Sequence, residues 1–220
     1  MSPDQTSAAP PAKRRRNSDL TRENIIEVAT KEFADNGFAG ARVDVIAERT
    51  HTTKRMIYYY FSDKEGLYTA VLERSYGEIR QQENKLDIAG LDPVAAIRAL
   101  AELTFDHHDR HPDFIRLVAN ENMLHGEHIR KSAVLSGLGA PAADLVSQIL
   151  AEGQQAGLFR TDVDALDVHM IISSYCVFRM ANKYTWDALF KRDLTAPGSR
   201  DHQRTMLANM LVAFLRDTAH

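Results

Sequence analysis

The sequence predicts an all-α protein, a small N-terminal three-helix unit followed by a larger helical domain. Three observations carry this. Apolar residues recur at helical spacing along most of the chain. Helix boundaries are marked at Asn36-Gly37, at Ser62 with Glu65, at Asp92-Pro93 and at His111-Pro112. No run reads as a strand of convincing length, and no segment repeats.

Residues 1–12, MSPDQTSAAPPA, are rich in Pro, Ala and Ser without periodicity and read as a disordered tail. Lys13, Arg14, Arg15 and Arg16 follow, and residues 1–17 together read as a basic arm. By itself such a run is either a solvated block of charge or an arm that follows a phosphate backbone. The first helix is expected from about Thr21 to Asn36, with Ile25, Ala29 and Phe33 inward and Gly37 as its stop. A short second helix spans about Val43 to Thr50, with Val43, Ile46 and Ala47 inward. Thr53 is placed to cap a third, whose hydroxyl can accept a free backbone N–H. In that helix Ile57 and Phe61 face inward, which turns Tyr58 and Tyr59 to other faces. Ser62-Asp63-Lys64-Glu65 reads as a capping box opening a fourth helix to the mid-80s.

Helices continue beyond it. Asp92-Pro93 opens one to about Arg110, and His111-Pro112 opens the next, which Gly126 interrupts. Pro141 opens a helix ending at Gly157, and Asp164 opens a long one to about Phe190. The polar stretch KRDLTAPGSRDH is expected to be a loop, before a last helix with a broad stripe from Met206 to Leu215.

Composition bounds the function. An apolar share of 44% is ordinary for a globular protein, and no apolar run approaches the ~20 residues of a membrane span. The lone cysteine, Cys176, cannot form an internal disulfide, which with the lack of a signal peptide predicts a soluble cytoplasmic protein. The net charge of −3 gives no bulk argument for nucleic acid. Lys and Arg slightly outnumber Asp and Glu from Lys13 to Ala70, and the reverse holds beyond, so any DNA argument rests on local placement. No nucleophile–base motif, Gly-rich phosphate loop or HExxH is present, so an enzyme is disfavoured.

Two short helices joined by a tight turn, the second polar and basic at its N-terminal end, make a helix-turn-helix. Thr53, Lys54 and Tyr58 suit phosphate oxygens, Lys64 adds charge at a helix start, and Arg55 can reach a guanine edge or a phosphate. Residues 21–72, TRENIIEVATKEFADNGFAGARVDVIAERTHTTKRMIYYYFSDKEGLYTAVL, closely resemble the TetR family of bacterial transcription regulators. The resemblance covers about a quarter of the chain and is carried by IAE at 46–48, TTKRMIYYYF and SDKEGLY. It implies a homodimer with a DNA-binding domain at 18–66 and an effector-binding and dimerisation domain at 67–220. It also implies repression of a palindromic operator, released by a small-molecule effector, with no cofactor and no membrane partner. Thr53, Lys54, Tyr58, Tyr59 and Lys64 are implied DNA contacts, while Arg55 and Met56 fall where members vary and help set sequence preference. Beside such a motif the basic arm of Arg14, Arg15 and Arg16 has DNA to contact. Three positions depart from the family. His51 stands for the usual turn glycine, Arg42 for a Ser or Thr cap, and Gly66 for a common alanine. Arg42 thereby exchanges a cap for a cation that can reach phosphate. An activator, or a DNA-binding protein without an effector, is the alternative.

For the effector, HPDFIRLVANENMLHGEHIRKS at 111–132 is similar to a pattern of one subgroup of these regulators. Arg116, Asn120 and Glu121 fall among apolar positions of one helix, and His125 lies four residues after Glu121. These form either the polar end of a pocket or a structural network. The helix through ALDVHMIISSYCVFRMANKYTW is apolar nearly all round. Phe105, His108, Met170, Ser174, Tyr175 and Phe178 complete the candidate pocket, with plain core packing as the alternative. Cys176 reads as an inert buried thiol. Nine histidines raise a metal reading, with His107, His108 and His111 close in sequence, but spacing alone does not assign a site, and none is.

Overall fold

In the computed structural model, residues 11–216 are described, with side chains from Asn17 onward apart from 140–142. The expected tail over 1–10 lies outside the described residues. All regular structure among the described residues is helical, and no helix there is long and apolar enough to cross a membrane. The chain divides between Val71 and Leu72 into two compact units.

The first unit holds α1 (Pro11–Gly40), α2 (Val43–Arg49), α3 (Lys54–Phe61) and the start of α4 (Lys64–Asn84). Helix α1 starts well before Thr21, so residues 11–17, expected in a disordered arm, have helical backbone. It breaks where expected, at Gly37, whose φ of 67° suits glycine. Ile25, Phe33, Ile46, Ile57, Leu67 and Tyr68 are all fully buried, one inward stripe from each helix. Phe33 and Tyr68 meet edge to face with centroids 4.9 Å apart.

Helix α2 lacks a side-chain cap at Arg42. The buried Glu32 of α1 braces the helix in another way: its carboxylate accepts the N–H of the N-cap residue Arg42 at 3.1 Å and pairs with Arg49 at 3.3 Å. The α2–α3 turn has His51 at φ 53°, the left-handed region where the family pattern places glycine. His51 N–H to Glu48 O and Thr52 N–H to Ala47 O close it at 3.1 and 2.9 Å. Thr53 caps α3 as expected, accepting the Met56 N–H at 3.2 Å. The α4 cap differs from expectation. Ser62 ends α3 at φ 69°, and Asp63 accepts the Gly66 N–H at 2.8 Å in its place. Gly66 is required by space, because a Cβ there would stand 2.0 Å from the Phe61 carbonyl oxygen.

The second unit holds the rest of α4, then α5 (Pro93–Arg110), α6 (Pro112–Met123), α7 (Glu127–Lys131), α8 (Ala133–Gly137), α9 (Gly139–Gln155), α10 (Ala165–Ala181), α11 (Lys183–Phe190) and α12 (Pro197–Arg216). Asp92 caps α5 and Asp164 makes a capping box with Asp167 on α10. Helices α5, α9, α10 and α12 bury Ile97, Phe105, Ile149, Ile172, Leu207 and Leu211 in one core. Three expectations are corrected. The long helix from Asp164 breaks at Asn182 into α10 and α11. The expected loop KRDLTAPGSRDH is helical from Pro197, where proline suits a helix start. Helices α7 and α8 were not expected at all; they follow the stop at Gly126.

A charged ladder crosses this core. Arg179 of α10 is 3% exposed and donates to Asp109, Gln203 and the Leu194 carbonyl at 2.6, 2.7 and 2.8 Å. Its guanidinium lies 4.6 Å from the Phe105 ring centroid. Arg200 of α12 reaches Asp109 and Asp106, and Arg204 reaches Asp106 and Glu102. Burial raises the Asp109 carboxyl's pKa, but hydrogen bonds from Arg200 and Arg179 outweigh this and hold it below the usual range.

Two outcomes follow for stability. Gly66→Ala should lower it by about 1–3 kcal/mol, the cost of a forced contact, although alanine is the better helix former. Asp109→Ala leaves Arg179 buried against fewer partners and should cost about 3–5 kcal/mol, whereas Arg179→Met with Asp109→Leu should recover most of that. Urea denaturation of each variant measures both.

Candidate nucleic-acid interface and ligand cavity

Helix α3 has eight residues, and Ile57 and Phe61 are its buried anchors. The Arg22 guanidinium covers the Phe61 ring at 5.1 Å, and Ser18 donates to the Tyr60 hydroxyl at 3.1 Å. Apart from the half-buried Tyr60, the rest of α3 points outward. Thr53, Lys54, Arg55, Met56, Tyr58 and Tyr59 form one exposed face, with Tyr59 78% exposed. The Thr53 hydroxyl and two cations thus stand at the N-terminal end of α3, where the backbone dipole also favours anions, with the exposed tyrosines in the turn that follows.

The other expected DNA residues are less free. Lys64 is half-buried, donates to the Ala39 carbonyl at 3.3 Å and lies over the Phe38 ring at 5.2 Å. The exposed Arg42 is paired with Asp44 at 2.7 Å, so a phosphate would compete with that carboxylate. The side chains of Arg14, Arg15 and Arg16 lie outside the described residues.

The expected effector residues do not converge. Glu121 is 1% exposed, but its partner is His128, not His125. Its carboxylate accepts the backbone N–H of His128 and Ile129 at 2.7 and 3.1 Å and faces His128 Nδ1 at 3.1 Å. His125 is exposed at φ 57°, because Gly126 turns the chain out of α6 there. Arg116 and Asn120 are half-buried on α6. Phe105 is a core ring beneath two guanidiniums. His108 is buried with Nδ1 2.8 Å from the Thr104 carbonyl, and burial pushes its pKa down to about 4. Met170, Ser174 and Phe178 face out from α10, and Tyr175 is half-buried against the core. Cys176 is fully buried, and burial pushes its thiol up to about 12, far from a reactive thiolate.

A different site has room. A cavity of about 330 Å³ lies within the second unit, walled by α4, α5 and α12. Gln82 and Leu86 at the end of α4, Asp106 and His107 of α5, and Arg204 of α12 border it. None of the expected pocket residues does. From the sequence His107 reads only as a candidate metal ligand. Among the described residues, no group of three or more His, Cys, Asp or Glu is arranged to hold a metal ion.

The outer face of α10 is apolar at helical spacing. Leu166, Met170 and Phe178 are 63%, 63% and 51% exposed. Tyr184, Leu189 and Phe190 of α11 and Met210 of α12 are also exposed. So many large apolar side chains left in solvent on α10 and α11 are unusual on a chain that stays alone.

Comparison with known proteins agrees with this geometry. Residues 25–71 match the model of bacterial regulatory proteins of the tetR family. Residues 93–211 match the tetracyclin repressor-like C-terminal domain. The HTH-type transcriptional repressor NicS of Pseudomonas putida is 36% identical over 203 residues, covering 92% of this chain and 96% of NicS. The HTH-type transcriptional regulator RutR of Escherichia coli is 34% identical over 114 residues, covering 52% of this chain and 53% of RutR. Among solved structures, SCO4942 of Streptomyces coelicolor superposes with a TM-score of 0.67 at 28% identity, covering 89% of this chain and 98% of that one. A tetR-family regulatory protein from Rhodococcus RHA1 superposes with a TM-score of 0.71 at 14% identity, covering 89% and 96%, a likeness of fold alone. The chain belongs to the TetR family of DNA-binding transcriptional regulators.

Proposed function

We propose that this regulator is a homodimeric repressor that binds a palindromic operator and is released by a small molecule. The observation that carries the reading is the exposed face of α3, with Thr53, Lys54, Arg55, Tyr58 and Tyr59 presented together by two buried anchors. Lys54 and the Thr53 and Tyr58 hydroxyls take phosphate oxygens, and Arg55 reads a base edge. Arg14, Arg15 and Arg16 of the N-terminal segment add backbone contacts.

A second copy covers the apolar face of α10 and α11. Two heads then meet successive major grooves about 34–36 Å apart, and the operator shares the dimer's two-fold axis. The effector binds in the second unit and favours a conformation with lower operator affinity. By linkage, the operator weakens effector binding by the same factor. That NicS is a transcriptional repressor supports repression rather than activation. Such a protein works in the bacterial cytoplasm, on the nucleoid when DNA-bound.

Lys54→Ala with Tyr58→Phe should weaken binding to every sequence and reduce the salt slope by about 1 for the lost ammonium contact. Arg55→Ala should instead relax preference at one base pair, by about 1–3 kcal/mol. Gel-shift titrations on operator and scrambled DNA at several salt concentrations separate the two. If neither variant alters binding, α3 is not the reading helix. Met170→Glu with Phe178→Glu should convert the dimer to monomers in sedimentation and abolish tight operator binding. A double variant that stays dimeric would put the self-association face elsewhere.

A further inference from the structure

His107 is an unusual group in the second unit. It is 3% exposed, and neither ring nitrogen has a hydrogen-bond partner. Buried polar groups are nearly always paired, and a neutral imidazole has one donor and one acceptor to satisfy. The adjacent His108 does so through the Thr104 carbonyl. His107 makes only ring contacts. It stacks on His111 at 4.5 Å with the planes 28° apart, and it meets Phe114 edge on at 5.7 Å. Burial, with nearby positive charge, pushes its pKa down to about 3, so the ring is neutral near pH 7.

His107 also borders the cavity of about 330 Å³ between α4, α5 and α12. That is at the small end of ligand sites, which run to roughly 1,000 Å³. The charges on its wall already have partners. Arg204 is 2.9 Å from Glu102 and 3.1 Å from Asp106, and Arg110 is 3.6 Å from Asp106. Two cations and two carboxylates balance. An ion entering the cavity would add a net charge to a wall whose charges already offset one another, and would lose part of its hydration to do so. An uncharged polar molecule meets no such penalty.

We propose that this cavity is the effector site, that His107 recognises the ligand by a hydrogen bond, and that the ligand is a small uncharged molecule bearing an amide or similar carbonyl group. The proposal rests on the reading of the chain as an effector-released repressor. Neither ring nitrogen reaches solvent in this structure, so the ring turns about its Cβ–Cγ bond to meet the ligand. The exposed His111 ring stacked on it gives way. Glu102, Asp106 and Arg204 then sense occupancy, since they line the same cavity and belong to the ladder that joins α5 to α12.

The test uses three probes of one shape and different charge on the full-length protein: benzamide, benzoate and benzylammonium, at millimolar concentration and pH 7.5. Histidine ring nitrogens labelled with ¹⁵N are followed by NMR, with thermal unfolding and operator gel shifts in parallel. Benzamide should shift the His107 ring signals, raise Tm and release operator, and the two ions should do none of these. His107→Phe should lower benzamide affinity at least tenfold. Its Tm without probe should not fall far below that of the wild type, because a planar apolar ring takes the place of an unpaired polar one. Benzoate or benzylammonium shifting His107 in benzamide's place would overturn the uncharged class. No probe shifting His107, or a large Tm loss in His107→Phe, would overturn the site. Benzamide bound at His107 without operator release would overturn the effector role. Failure to bind any operator would sink the repressor reading, while the His107 signals would still report on the ligand site.

Discussion

The function of this protein depends on how an eight-residue helix is held still. A helix as short as α3 is not stable alone in water, because nucleation is costly and few hydrogen bonds follow it. Burial of Ile57 and Phe61 supplies what the local backbone cannot. Each is worth about 1.5–3 kcal/mol of apolar burial, enough to fix one face and leave the others to solvent. Two anchors four residues apart also fix rotation about the helix axis, which decides that Arg55, Tyr58 and Tyr59 point outward together. The chemistry available at that face is a consequence of this packing.

The rest of the first unit serves the same constraint by devices that differ from the family pattern. Glu32 ties α1 to both ends of α2, accepting the N–H of the N-cap residue Arg42 and pairing with Arg49, although the first-turn N–H groups that a Ser or Thr cap would take are left to other partners. Its position on α1 makes the α1–α2 angle depend on these bonds. His51 holds a left-handed turn conformation that costs a non-glycine residue about 1–2 kcal/mol, offset by the hydrogen bonds that close the turn. Gly66 stands where α4 passes the end of α3 so closely that no side chain fits. In sequence the glycine resembled a small loss of helix propensity. In three dimensions it is the condition for the two helices to meet.

The fold was legible because its signals are local. Asp92, Asp164, Thr53 and Gly37 cap or stop helices within a few residues of themselves, and the inward stripe of α1 is a simple period. Boundaries failed where local signals conflicted. Pro197 was read as part of a polar loop although proline is at home in a first helical turn. The proposed ligand site was hardly legible, for a physical reason. Helix α10 is apolar nearly all round, so periodicity could not say which side faces in, and Met170 and Phe178 turned out to face solvent. Glu121 finds its partner His128 across the break at Gly126, where helical spacing no longer applies and His125 leaves the face of Glu121. His107 was visible only as a possible metal ligand. That it is buried, unpaired and beside a cavity depends on α4 and α12, distant in sequence.

The most direct test of the central claim is a gel-shift titration of the purified protein on the DNA upstream of its own coding sequence, against excess random DNA and at several salt concentrations. A discrete complex that survives competition and is lost when Lys54, Arg55 and Tyr58 are replaced together is the predicted result. Binding that is weak, salt-sensitive and the same on every sequence, or that survives that replacement, would contradict the assignment of α3 as the element that reads DNA.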